Sequence, residues 1–270
     1  MVCFPNGKIN IGLYITSKRT DGYHNLETIF YPLAKPNDVL EIVPAEAVAM
    51  HLYGKAVAGD VYDNLVWKAY MLLQKDFPAI PPFSVHLLKN IPMGAGMGGG
   101  SADGAFMLRL LNDYCSLGLD NKQLIGYALQ LGSDCPFFIE NTPQYATGRG
   151  EVMQPIAIDL SAYSIQLICP QVHVSTAAAF KMITPKPAPF DLRQLQTIPI
   201  AQWKDLVNND FEAPVFAQHP QLAAIKQQLY DAGAIYAAMS GSGSTVYGVF
   251  EKGCKASIAT TLPYEEHYCK

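Results

Sequence analysis

The sequence predicts an α+β fold, and three observations carry that prediction. Runs of strand period and runs of helical period alternate along the chain without the repeated strand–helix–strand rhythm of a doubly wound sheet. Two glycine-rich tracts, at 94–100 and 240–244, each follow a strand-like run. The 270 residues exceed one ordinary domain at roughly 150 residues each. A change to short strands near 147–157 places the expected division at 1–155 and 156–270.

The elements follow in order. Ile9, Ile11, Leu13 and Ile15 alternate with Lys8, Asn10, Gly12 and Tyr14, the pattern of a half-buried strand. Asp21-Gly22 marks a turn. Strands are predicted at 26–33 and 39–43, parted by the breaker Lys35-Pro36-Asn37-Asp38. Asp63 or Asn64 is placed to cap a helix ending near 76, with Leu65, Ala69, Leu72 and Leu73 as its apolar stripe. Residues 83–88 read as a strand running into Lys89-Asn90-Ile91-Pro92. Ser101 stands where the cap of the next helix belongs, and 102–114 is apolar nearly all round, the mark of a buried helix. A further helix is predicted at 121–131, ended by Gly132. Beyond the division, 164–170 reads as a strand, 175–183 as a short helix and 221–231 as a helix. Residues 234–250 read as two strands around Ser240-Gly241-Ser242-Gly243-Ser244.

Composition narrows the class. Apolar residues make up 50% of the chain and charged residues only 16%, enough for a sizeable core and too little charge for a disordered chain. The net charge of 19 − 23 = −4 gives no basic footprint for nucleic acid. The six cysteines include no C-x-x-C pair, so no zinc site or redox dithiol is expected, and a reduced cytoplasmic setting fits. No run approaches the ~18 apolar residues of a membrane span, and the N-terminus lacks a basic leader. A soluble protein is expected.

The sharpest chemical signal is the tract 92–104. Five glycines lie between Gly94 and Gly100, and glycine lets a ligand approach the backbone. The helix start that follows offers unpaired N–H groups and the positive end of a dipole. Together these make an anion cradle. No Gly-Lys-Ser/Thr closes it, so it is not a Walker A loop. Other candidates have two readings each. Lys8 is either a solvated strand lysine or a cation facing a cleft beside Asn10. Asp134 is either a cap or turn residue or a functional carboxylate. Asn64 is first an N-cap, His24 a loop histidine, and 240–244 a hairpin turn.

Taken together, Lys8-Ile9-Asn10, the tract PMGAGMGGGSADGA and the late MSGSGSTVYGVF resemble the three motifs of the GHMP small-molecule kinases. The segment KRTDGYHNLETIF, with DNLVWKA and LGSDCPFFIE in order, narrows the resemblance. It points to the branch that phosphorylates the 2-hydroxyl of a cytidine-diphosphate-linked methylerythritol in the non-mevalonate isoprenoid route. The resemblance spans about residues 5–250. It implies a two-domain fold with the active-site cleft between the domains, ATP with Mg²⁺ as cofactor, and a small-molecule acceptor, with no nucleic acid or membrane partner. No protein ligand for the metal is named.

On that resemblance Asp134 matches the catalytic carboxylate and Lys8 the catalytic lysine. Pro92, Gly94, Gly96, Gly98, Gly99, Gly100 and Ser101 would hold the triphosphate, with Asn64 and Lys89 toward the adenosine. Asn10, Tyr23, His24, Phe30 and Phe180 match the cytidine-diphosphate side, where rings give a base a face to stack on. Gly241, Ser242 and Gly243 would lie near the acceptor's phosphates. Three departures stand out: Asn6-Gly7 before the lysine, which is expected to loosen the start of the strand; Ala102; and Asp103, a negative charge close to the expected triphosphate. The alternatives are a GHMP kinase for another alcohol, of homoserine or mevalonate type, and a catalytically silent nucleotide sensor. DGYH with Phe30 and Phe180 argues against the first, and the presence of both Lys8 and Asp134 against the second.

Overall fold

The computed structural model describes residues 1–57 and 59–269. In chain order its strands are β1 (Val2–Cys3), β2 (Asn6–Lys18), β3 (His24–Asn37), β4 (Val39–Pro44), β5 (Ala49–Gly54), β6 (Phe83–Lys89), β7 (Gln144–Thr147), β8 (Val152–Pro155), β9 (Tyr163–Pro170), β10 (Tyr236–Met239), β11 (Val246–Glu251) and β12 (Tyr264–Cys269). Its α-helices are α1 (Leu65–Asp76), α2 (Gly99–Tyr114), α3 (Asn121–Leu131), α4 (Cys135–Glu140), α5 (Thr176–Lys181), α6 (Trp203–Leu206), α7 (Glu212–Gln218) and α8 (Pro220–Asp231). The class is α+β, and the chain forms two compact units interleaved in sequence. One comprises Met1–Gly7, Pro36–Met93 and Gly98–Thr142; the other comprises Lys8–Lys35, Gly94–Met97 and the chain from Pro143 on. Among the described residues, no helix is long and apolar enough to cross a membrane.

The first unit sets helices against one sheet, in the order β1-β4-β6-β5. Leu40 and Ile42 of β4 stand opposite Leu87 and Val85 of β6, and all four are buried. Phe83 of β6 meets Tyr70 of α1 and Tyr114 of α2 edge-on, at 6.4 and 5.1 Å. Asn64 caps α1, its Oδ1 accepting from the Val66 N–H at 2.9 Å. The helix buries Val66, Ala69, Tyr70 and Leu73, so its inner face is turned from the predicted stripe toward Tyr70, whose ring contacts β6. Helix α2 begins two residues before the predicted cap. Gly98, in the left-handed region at φ 69°, is its cap, and Ser101 lies inside the first turn. A residue with a Cβ would be strained at that φ. Helix α3 has the predicted bounds, with a capping box between Asp120 and Gln123 and Gly132 at its end.

Asn6 does not loosen the start of β2. It is buried, and its amide exchanges hydrogen bonds with that of Asn141, at 3.1 and 2.9 Å.

The second unit has two four-stranded sheets, ordered β2-β3-β7-β8 and β10-β11-β9-β12. Strand β2 was expected to be half-buried, but both of its faces are covered from Lys8 to Ile15. The cover comes from far along the chain: a Cβ on Gly12 would sit 2.6 Å from Leu192 and 2.8 Å from Val207. The predicted break at 35–38 is also displaced. Strand β3 runs on through Pro36 to Asn37 before β4 begins at Val39. The hairpin β10–β11 is antiparallel, with Met239 opposite Val246, so the second glycine tract is its connection. Helix α8 adds Leu222, Ile225 and Leu229 to a core that includes Leu13, Ile15, Met239 and Val246.

Candidate active site

In the first unit, the residues around the first glycine tract are fixed by a buried charge cluster. Lys89, at the end of β6, is 1% exposed. Its ammonium donates to Asp103 of α2 at 2.5 Å and also to Asp38. Asp38 further accepts from the N–H groups of Asn90 and Ile91, at 2.6 and 2.9 Å. Two carboxyls therefore share one lysine, and burial pushes Asp103 well above the usual carboxylate range despite the ammonium beside it. This answers the question of its charge: Asp103 points into the unit, onto Lys89. Lys89, expected toward the adenosine, has its side chain turned into the unit as a buried anchor for these two carboxyls.

The start of α2 lies directly over this cluster. A Cβ on Gly99 would come 2.8 Å from Ile91 and 3.5 Å from the Lys89 ammonium, whereas one on Gly100 would meet nothing within 4 Å. Gly99 is thus required by packing, and Gly100 presents bare backbone outward. The first-turn N–H groups of this 16-residue helix have no intrahelical acceptors and suit a phosphate. Ser101 in that turn hydrogen-bonds Cys135, whose thiol burial pushes up to about 12. Cys135 directly follows Asp134, so the start of α4 lies beside the start of α2. Asp134 occupies the N-cap position of α4 but makes no cap hydrogen bond there. The capping role that the local sequence allowed is not the one it has.

In the second unit, three segments meet at Gly96. The Lys8 ammonium donates to Asn10 Oδ1 at 2.6 Å and to the Gly96 carbonyl at 3.0 Å. Ser240 Oγ donates to the same carbonyl at 2.8 Å. A Cβ on Gly96, at φ +82°, would lie 2.0 Å from the Ser240 carbonyl oxygen, so only glycine fits. Asn10 donates to Thr28 at 3.0 Å, and its backbone carbonyl accepts from Tyr247. Gly94 remains open, with the His173 ring 4.0 Å from where its Cβ would stand. Ser242 shares a hydrogen bond with Thr176 at 3.0 Å.

The expected base-binding residues separate into two kinds. His24 and Phe180 are stacked, with centroids 5.1 Å apart and planes at 17°. Tyr23 is 56% exposed, with the Arg149 guanidinium over its ring at 5.0 Å. Phe30 is 3% exposed and lies 5.1 Å from the Lys8 ammonium. It offers no open face to a base and instead backs the lysine. Sequence reading missed the segment at Asn209, which reaches the second glycine tract; its only local signal was a polar run, Asn208-Asn209-Asp210, inside a helical region.

Among the described residues there is no group of three or more His, Cys, Asp or Glu side chains able to hold a metal ion.

Comparison with known proteins shows the family. Residues 64–141 match the GHMP kinases N terminal domain, and residues 192–262 the GHMP kinases C terminal domain. The chain is 51% identical over 255 residues to the 4-diphosphocytidyl-2-C-methyl-D-erythritol kinase of Bacteroides thetaiotaomicron, covering 93% of this chain and 92% of that one. It is 50% identical over 252 residues to the enzyme of the same name from Parabacteroides distasonis, with 93% and 92% covered. A crystal structure of 4-(cytidine 5'-diphospho)-2C-methyl-D-erythritol kinase superposes with a TM-score of 0.77 at 28% identity, covering 92% of this chain and 90% of that one.

Proposed function

The chain belongs to the 4-diphosphocytidyl-2-C-methyl-D-erythritol kinases of the GHMP family, and from that membership we infer that it transfers the γ-phosphoryl group of ATP to the 2-hydroxyl of that cytidylated alcohol. The observation that carries the reading at the level of geometry is the junction at Gly96. There a buried ammonium and a serine hydroxyl hold one carbonyl of a glycine tract. That is a rigid, cation-bearing support for a phosphate-binding turn.

We assign the roles residue by residue. Asp134 takes the proton of the 2-hydroxyl as its oxygen bonds to phosphorus and the bond to the ADP oxygen breaks. Lys8 offsets negative charge on the transferring phosphoryl group. Gly98, Gly99, Gly100 and Ser101 supply backbone N–H groups to the triphosphate, and Gly94 leaves room for it. His24, Phe180 and Tyr23 receive the cytosine, with Asn10 fixing the lysine. In such a loose transition state, positioning and charge carry most of the acceleration. Mg²⁺ accompanies ATP in this reading, held by phosphate oxygens and water; no step above is routed through it.

An ADP-release assay on the purified chain tests the assignment. The acceptors are 4-diphosphocytidyl-2-C-methyl-D-erythritol, its non-cytidylated phosphate, homoserine and mevalonate. Turnover of the first alone is the expected result. Turnover of homoserine or mevalonate alone would replace it with another GHMP activity.

A further inference from the structure

Asn209 lies in the turn between α6 and α7 and is 3% exposed. Both hydrogens of its side-chain amide are committed. They bind the carbonyls of Met239 and Gly241, each at 2.8 Å. Its Oδ1 accepts from the Phe211 N–H at 2.9 Å, which locks the amide's orientation. Glu212, three residues on, accepts the Met239 N–H at 2.8 Å and the Lys226 ammonium at 2.7 Å. The same segment is stitched to β2: Asp210 N–H donates to the Leu13 carbonyl, and Asp210 accepts from the Ile15 N–H, both at 2.8 Å. One short turn therefore ties the second glycine tract to the strand that carries Lys8.

Peptide planarity gives this tie a direction. In a trans peptide the carbonyl of one residue and the N–H of the next point opposite ways. With the Gly241 carbonyl held by Asn209, the Ser242 N–H is aimed to the other side of the tract. Among the described residues, no hydrogen bond uses the N–H of Gly241 or of Ser242. A carbonyl left to rotate into that space would repel a phosphate; a fixed N–H attracts one.

We propose that Asn209 is a positioning residue for the acceptor: by pinning the carbonyls of Met239 and Gly241 it aims the Ser242 N–H at a phosphate of the substrate's diphosphate group. The proposal rests on the reading above that Gly241–Gly243 lies at the acceptor's phosphates.

The test uses Asn209→Asp, which turns two donors into acceptors facing two carbonyls, and the milder Asn209→Ser. Steady-state kinetics for both substrates, calorimetric binding of cytidine diphosphate and thermal unfolding are measured on the full chain. In the Asp variant, the KM for the acceptor and the Kd for cytidine diphosphate are expected to rise about tenfold, the effect of ~1.4 kcal/mol. The KM for ATP should stay within about twofold, since the reading above assigns this tract to the acceptor's phosphates. The Ser variant should move the same way by less. An unchanged acceptor KM in a folded variant overturns the proposal. So does an equal rise in both KM values, or failure of both variants to fold, since each assigns Asn209 to stability alone. Failure of the underlying reading looks different: the wild-type chain would then neither turn over the acceptor nor bind cytidine diphosphate.

Discussion

Lys89 and Asp103 are joined at 2.5 Å beneath the first turn of α2, with neither side chain more than 2% exposed. Asp38, the second carboxylate on the same ammonium, reaches it from 51 positions earlier. The cluster binds the end of β6 to the start of α2, the two elements that bracket the first glycine tract. Replacing Lys89 with Met removes the one ammonium that these two buried carboxyls share. Breaking a buried pair from one side is destabilising by about 3–5 kcal/mol. Urea unfolding of Lys89→Met should show a loss of that size. A loss below about 1 kcal/mol would mean that the pair behaves like a surface contact.

Asp103 makes stability depend on pH with a definite sign. Its carboxyl is raised in the folded chain, chiefly by burial, so the folded state holds a proton that the unfolded state releases near the ordinary value of about 3.9. The folded chain therefore has the full benefit of this group below that value. It loses the benefit as pH rises from there through the raised folded value. Asp103→Asn removes the titration while keeping an oxygen for Lys89. Its unfolding free energy should gain on the wild type as pH increases from about 4. Parallel curves for the two proteins would assign the proton elsewhere in the cluster.

Two glycines of the first tract should respond in opposite ways to the same methyl group. At Gly96 the added carbon would stand 2.0 Å from the Ser240 carbonyl, in a left-handed conformation, so Gly96→Ala should cost more than about 3 kcal/mol and abolish activity. Gly100 is helical, and its added carbon would meet nothing. Gly100→Ala should stabilise the chain by about 0.4–1 kcal/mol through the unfolded state. If the bare backbone at Gly100 receives the triphosphate, the same variant should raise the KM for ATP about tenfold. A higher melting temperature with an unchanged KM would remove Gly100 from the nucleotide site.

Local chemistry explains which features were legible in the sequence. Helix α3 is marked by the apolar face of Leu124, Ala128 and Leu131 and by Gly132 at its end, and the capping box of Asp120 with Gln123 that the structure adds fixes the start where that pattern put it. The two glycine tracts are equally plain. What sequence does not carry is the partner that gives each residue its role. Which glycine is obligatory depends on Ser240, 144 positions from Gly96. Whether Lys89 faces a ligand or a core depends on Asp38. The double burial of β2 comes from Leu192, Val207 and the second tract, none of which alternation in 8–16 can reveal. Asn209 was invisible for the same reason, since its partners lie 30 and 32 positions away.

Asp134 offers the clearest separation of chemistry from structure. As the N-cap residue of α4 it makes no cap hydrogen bond, and asparagine is as good a cap as aspartate. Asp134→Asn should therefore keep the start of α4 while removing the group that takes the hydroxyl proton. Loss of a positioned general base lowers turnover by about 10²–10⁴-fold. The fall should appear in kcat, with the KM for ATP little altered, because the carboxylate is assigned to the acceptor's hydroxyl and to no part of the nucleotide. Cys135, beside it, is buried with its thiol pushed up to about 12, so alkylation near neutral pH should not mimic the variant; the exposed Cys254 should react first, without loss of activity. A folded Asp134→Asn protein with wild-type kcat would return this residue to the turn that the local sequence also allowed.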